Sequence, residues 1–132
     1  MLKRILDTCV LVEHWRRSRR NASAPLTPAN AAGWARHLIA LCGTDAIVTP
    51  VRVEFIAGTT SGGELQLARS FLGEFHVIDG GHVLDADWQE TLRIASRIPR
   101  NGRRRQLGDC LIRAIAKRLN HEVYSYDMGF PH

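Results

Sequence analysis

Four carboxylates stand where short apolar runs give out: Asp7, Glu54, Asp109 and Asp127. Asp7 closes Met1-Leu2-Lys3-Arg4-Ile5-Leu6, and Asp127 follows Tyr124-Ser125-Tyr126 near the other end. Glu54 ends Thr49-Pro50-Val51-Arg52-Val53-Glu54, and Asp109 follows Gly108 where the helical run from Asp109 to Lys117 begins. In open α/β sheets, ligands sit in the crevice beyond the carboxyl ends of the strands, so acids at such positions can converge. Two carboxylates about 4 Å apart repel by roughly 4 kcal/mol at the effective dielectric of a partly wet site. A shared pocket therefore needs a counter-charge. A divalent cation supplies it for three or four acids, and oxygen-only ligands with retained waters suit Mg²⁺ or Mn²⁺. Plainer uses exist, with Asp109 as a helix N-cap and Asp7 and Asp127 in turns. Glu54 resists them, because Val53, Phe55 and Ile56 around it are apolar and a carboxylate among them must reach solvent or a partner.

The elements that must position these acids alternate between short strand-like runs and longer helical ones, which reads as βα units and a parallel sheet. Strands are expected over Lys3 to Leu6, Ala46 to Thr49, His76 to Ile78 and Glu122 to Tyr126. A helix is expected over Val10 to Arg17. Thr27-Pro28 reads as an N-cap with proline at the first helical position, opening a helix to Leu41 with a core face of Trp34, Leu38 and Leu41. Thr49-Pro50 repeats the signal ahead of Glu54, and Gly58 closes that helix. Helical pattern resumes from Glu64 to Phe75 and from Asp85 to Ile98, where Pro99 and Asn101-Gly102 break it. With 132 residues, 45% of them hydrophobic, the chain reads as one α/β domain covering residues 1–132.

A net charge of +5 sits beside this acidic site, so the basic residues must lie elsewhere. They fall in two clumps, Arg16, Arg17, Arg19 and Arg20, then Arg97, Arg100, Arg103, Arg104 and Arg105. Such clumps suit a polyanion, although basic runs also occur as plain solvated surface. Arg16, Arg17, Arg103, Arg104 and Arg105 are the candidates for holding phosphates at the rim. The three cysteines, Cys9, Cys42 and Cys110, have neither disulfide-framework nor zinc spacing, which fits a reducing cytoplasm. No signal peptide or membrane span is expected. His14, His37, His76, His82, His121 and His132 lack metalloenzyme spacing. Trp15, Trp34 and Trp88 read as core or interface, with Trp15 beside its arginines also placed to stack a base.

Taken in order, these segments resemble the PIN domain, and within it the small VapC-type ribonuclease toxins of toxin-antitoxin pairs. Ile5-Leu6-Asp7-Thr8-Cys9-Val10-Leu11 resembles the family's first motif, a strand ending in Asp-Thr and a small residue. Glu54-Phe55-Ile56-Ala57-Gly58 resembles the second, and Gly108-Asp109-Cys110-Leu111-Ile112-Arg113-Ala114-Ile115-Ala116 the third. Ser125-Tyr126-Asp127-Met128-Gly129-Phe130 resembles the fourth, with a hydroxyl residue two before the acid. The chain departs from the pattern at Cys9, where Ser or Asn is commoner, at Cys110, where a larger apolar residue is usual, and at Ser125 in place of Thr. None of these removes a carboxylate.

The resemblance implies a three-layer sandwich, with a central parallel sheet of four to five strands and helices on both faces. It implies a metal-dependent ribonuclease using Asp7, Glu54, Asp109 and Asp127 with Mg²⁺ or Mn²⁺, supported by Thr8 and Ser125. It further implies RNA as substrate, a cognate antitoxin that occludes the site, and a homodimer, with apolar positions near Val12 and Trp15 as contact points. Two rival readings share the acids. A catalytically weak domain would bind RNA or a partner without cutting. A receiver-like phosphoacceptor would use a strand-end Asp, but it calls for adjacent acids after the first strand and a late Lys, which Thr8 and the Ser125 to Asp127 segment do not match.

Overall fold

The structure, a computed structural model, describes residues 3–23, 25–97, 102 and 104–131. The chain runs β1 (Lys3–Leu6), α1 (Thr8–Arg20), α2 (Pro28–Cys42), β2 (Ala46–Ile47), α3 (Thr49–Ala57), α4 (Gly62–Leu72), β3 (His76–Val77), α5 (Asp85–Ala95), α6 (Leu107–Arg118) and β4 (His121–Tyr124). The last strand lies beside the first, in parallel, with Lys3 opposite His121 and Leu6 opposite Tyr124. Their carboxyl ends therefore coincide, and whatever follows Leu6 meets whatever follows Tyr124. A second parallel pair sets Ala46 against His76 and Ile47 against Val77.

One sheet of four to five strands was expected, but the described residues form two two-stranded ladders. Length is the reason. β2 stops after Ile47 because Val48 already serves as the N-cap position of α3, and β1 and β2 touch without exchanging backbone bonds of a ladder. At that seam the Arg4 carbonyl accepts from the Thr44 hydroxyl at 2.9 Å, a side chain standing where a strand amide would.

Several local expectations shift for identifiable causes. α1 begins at Thr8, two residues earlier than expected, because Asp7 is its N-cap. α2 follows its signals, with Thr27 accepting from the Asn30 amide, Pro28 in the first turn and Gly43 closing it at φ 70°. Leu41 does not join its core face and is 66% exposed; Ala31, Ala35 and Leu38 are the buried stripe. Thr49 is neither a strand end nor a cap but the first residue of α3. Ser61 accepts from the Glu64 amide, so α4 starts at Gly62 and ends at Leu72 instead of running from Glu64 to Phe75. α5 starts at Asp85 as expected; Ile98, Pro99 and Asn101 lie outside the described residues. α6 starts at Leu107 with Gln106 at the N-cap position, which puts Asp109 inside the first turn. β4 ends at Tyr124, leaving Ser125 and Tyr126 past the ladder.

The core gathers Ile5, Leu6, Val10, Leu11, Val51, Ile112 and Ile115 around both ladders. Trp15 belongs to it and is 7% exposed, so it is available neither for stacking a base nor as an exposed apolar contact; Val12 is half-buried. Its indole meets Trp34, Phe55 and Phe71 edge-on at 5.5, 5.6 and 5.2 Å. Phe55 and Phe71 stack at 5.1 Å. Such aromatic pairs add about 0.5–1.5 kcal/mol each beyond their buried area. The cluster ties α1 to α2, α3 and α4, and so fixes the helix that carries Glu54.

Candidate active site

Pairing of β1 with β4 continues one rung past the strands, where the Asp7 amide donates to the Tyr124 carbonyl at 3.0 Å. Beyond that rung the side chains take over. Asp7 is 3% exposed, and its Oδ1 accepts from the Thr8 amide at 2.8 Å. Its Oδ2 accepts from the Ser125 hydroxyl at 2.7 Å and from the Cys9 thiol at 3.3 Å. Ser125 Oγ in turn accepts from the Asp127 amide at 3.0 Å, and Asp127 Oδ1 accepts from the Gly129 amide at 2.8 Å. Cys9 Sγ also accepts from the Tyr126 amide at 3.3 Å. Burial pushes the Cys9 thiol up, which keeps its proton available to Asp7. Thr8 and Cys9 from one end of the chain and Ser125 from the other thus hold one carboxylate.

Glu54 reaches the same place from α3. Phe55 turns into the aromatic cluster, so the preceding residue, about 100° around the helix, faces away from it and is exposed. The Thr8 hydroxyl donates to Glu54 Oε1 at 2.6 Å. Thr8 therefore touches both acids, Asp7 through its amide and Glu54 through its hydroxyl. On the far side, Gly108 in the first turn of α6 lies so close that a Cβ there would stand 2.6 Å from Glu54 Oε2. A helix N-terminus favours a carboxylate, and with a Cβ at position 108 this one would have to shift. Asp109, half-buried, is the next residue.

The structure joins two of the four carboxylates, Asp7 and Glu54, through Thr8. The Asp127 backbone amide donates to Ser125, which bonds Asp7, and Asp109 follows the glycine that abuts Glu54. Among the described residues no three His, Cys, Asp or Glu side chains form a group that could hold a metal ion. The donor set still fits a hard cation, since Mg²⁺ is usually held by one or two carboxylates, several waters and substrate phosphate.

Beside Glu54 opens a cavity of about 730 Å³ between α1, α3 and α4, where Arg16, Arg19 and Arg20 stand with Glu13 and Glu64, and Arg19 pairs with Glu64 at 3.8 Å. Arg16 is a sequence candidate that lands there; Arg19 and Arg20, in the same clump, do so too. Arg17 turns to the other face of α1 and pairs with Glu13 at 3.0 Å. Arg104 is exposed, Arg105 is half-buried with an Nε lacking a hydrogen-bond partner, and Arg103 lies outside the described residues. Sequence reading passed over the role of Gly108, whose only signal was a glycine directly before Asp109. It also passed over a second strand-end acid, Asp79, 7% exposed, whose Oδ2 accepts from the Thr49 amide at 2.9 Å and Oδ1 from the Thr49 hydroxyl at 2.7 Å.

The chain is an α/β domain with two small parallel ladders and with Asp7 and Glu54 joined just past the carboxyl end of β1. The profile of the PIN domain matches residues 4–132, and the chain belongs to that family, whose members are generally nucleases dependent on divalent metal ions. No curated protein and no solved structure matches it.

Proposed function

We propose that this chain is a metal-dependent endoribonuclease, the toxin of a type II toxin-antitoxin pair. The observation that carries the reading is the Thr8 bridge between Asp7 and Glu54, with Gly108 making room for Glu54. Asp7 and Glu54 would hold Mg²⁺ or Mn²⁺, with Asp109 and Asp127 beside them completing or orienting the site. When bound, the cation lowers the pKa of the attacking water and offsets charge on the phosphoryl oxygens and the leaving oxygen. Ser125 and Cys9 keep the Asp7 carboxylate turned toward the site, and Thr8 sets its spacing from Glu54. Water attacks phosphorus, a new P–O bond forms and the bond to O3′ breaks. A site carboxylate takes the water's proton, and the leaving O3′ gains one from solvent. The products carry 5′-phosphate and 3′-hydroxyl ends.

RNA as substrate is supported by the basic wall of Arg16, Arg19 and Arg20 running from Glu54 along α1. At 1.5 Å per residue these arginines lie roughly 14–20 Å from Asp7 along the helix, a reach that suits phosphates a few nucleotides from the cut. A cognate antitoxin would inhibit by laying a segment across this cavity, and a homodimer belongs to the same reading. A cytoplasmic setting is supported by three free cysteines. Among the described residues no helix is long and apolar enough to cross a membrane.

One observation favours the second reading, a domain that binds RNA without cutting it: the described acids do not form a three-ligand group. Sequencing the ends of RNA incubated with purified protein, with Mg²⁺ and with chelator, separates the two. Cuts bearing 5′-phosphates that vanish in chelator are expected. Cyclic or 3′-phosphate ends, or equal cutting in chelator, would exclude the hydrolytic reading, and RNA bound but intact in Mg²⁺ would favour the binding domain.

A further inference from the structure

α1 separates two cavities. Arg16 and Arg19 line the large one, whereas His14 and Arg17, about half a turn around the helix, line a smaller one of about 200 Å³ between α1, α2 and the β1–β4 ladder. Its walls are aromatic where the large cavity mixes arginines with carboxylates. Tyr124 and Tyr126 meet edge to face at 5.6 Å, and the Arg4 guanidinium lies over the Tyr124 ring, 5.4 Å from its centre. Leu41, so exposed on α2, and Leu38 supply the apolar side.

The chemistry of these walls selects among ligands. Neither cation is a free phosphate anchor, since Arg4 is spread over a ring and bonded to the Cys42 carbonyl at 3.4 Å, and Arg17 is paired with Glu13 at 3.0 Å. What remains is aromatic and guanidinium surface at a volume below the roughly 300 Å³ of a drug-sized site, which suits one planar, polar-edged ring. Tyr126 places that surface at the acids. It stands between Ser125 and Asp127, its amide donates to Cys9 Sγ at 3.3 Å, and its side chain is 47% exposed.

We propose that this cavity is a nucleobase subsite, in which a base next to the scissile phosphate stacks on Tyr126 beside Arg4 and Arg17. The inference rests on the reading of the site as one that acts on RNA, and it assigns base selection to the Tyr126 side of α1 and phosphate tracking to the Arg16 side.

The test is a titration followed by NMR, in chelator so that nothing is cut, with AMP, GMP, CMP and UMP against ribose 5-phosphate. Nucleotides are expected to shift Tyr124, Tyr126 and Leu41, and ribose 5-phosphate to leave them in place. Tyr126→Leu should weaken nucleotide binding at least about fivefold, with Tyr126→Phe close to the parent, because the ring's face does the stacking. Equal shifts from ribose 5-phosphate, or nucleotide shifts confined to the Arg16 side, would overturn the subsite. RNA cutting measured on the same preparations keeps the two readings apart. Base-dependent shifts without cutting support the subsite and remove the nuclease; cutting without base-dependent shifts does the reverse.

Discussion

Two strand-end aspartates in this fold are held in nearly the same way and placed in different company. Asp7 follows β1, caps α1 and accepts a hydrogen bond from the Ser125 hydroxyl; Asp79 lies just past β3 and accepts hydrogen bonds from both the amide and the hydroxyl of Thr49 at the start of α3. Both are buried. Asp79 spends its oxygens on Thr49 and on the Gly81 amide, and it supplies α3 with the cap that Val48 cannot. Asp7 has the Glu54 carboxylate one threonine away, and Ser125 ties it to the Asp127 backbone. A buried acid after a strand is thus a structural device in itself. What makes one of the two a candidate active site is a second carboxylate joined to it through a hydroxyl residue, whereas near Asp79 the second acid, Asp87, is neutralised by Arg118 at 2.7 Å.

Substitutions can pull the two ends apart. Asp7→Asn is expected to lower RNA cutting at least about a hundredfold, by the loss of a ligand and its charge. Its stability should change by less than about 1 kcal/mol, because lost hydrogen bonds are offset by relief of repulsion with Glu54. Thermal unfolding beside a cleavage assay checks both. Gly108→Ala should cost about 10–100-fold in cutting with stability held or slightly raised, since alanine suits a helix better than glycine while its Cβ must push the Glu54 carboxylate aside. Cutting at the parent rate would show that the position of Glu54 does not matter.

At the other end, Asp79→Asn should lose about 1–3 kcal/mol of stability by stranding Thr49 and uncapping α3, with the Mg²⁺ dependence of cutting unchanged. A smaller effect separates a third place from both. Burial holds the His14 imidazole, whose Nε2 donates to the Trp34 carbonyl at 2.9 Å, below its ordinary value. The unfolded chain then takes up a proton before the folded one does. Stability from this group is complete above about pH 6.5 and declines as pH falls through that value toward the lower folded pKa. His14→Gln should flatten that part of a denaturation-versus-pH curve, and an unchanged slope would remove His14 from the account.

The acids and hydroxyls of the site were legible in the sequence because apolar runs ending in Asp, Glu or Ser-Tyr-Asp mark strand and helix ends locally. The same rule applied to Val77-Ile78-Asp79 would have picked out Asp79 as well. Sequence could not rank the two, since the ranking depends on Thr8 reaching across 46 positions to Glu54. Gly108 was named in the third motif but its role was illegible for the same reason, being the space it leaves for a side chain of another helix. Leu41 was expected in the core and is exposed, whereas Trp15, read as core or interface and also as a base-stacking candidate, is core. Helical period finds a face but not what covers it, and here the Phe55 and Phe71 rings cover Trp15 while Leu41 borders a cavity. The sheet was overestimated because two-residue strands such as β2 and β3 look longer when their flanking Val48 and Ile78 are counted.

Paramagnetic broadening by Mn²⁺ tests the central claim most directly, since it reports where a cation sits without requiring cutting. Amide signals of Thr8, Cys9, Gly108 and Tyr126 should broaden first and most as Mn²⁺ is added, those of Gly80 and Gly81 later and less, and Asp7→Asn should abolish that order. Broadening centred on Asp79, or equal broadening with and without the Asp7 carboxylate, would contradict it.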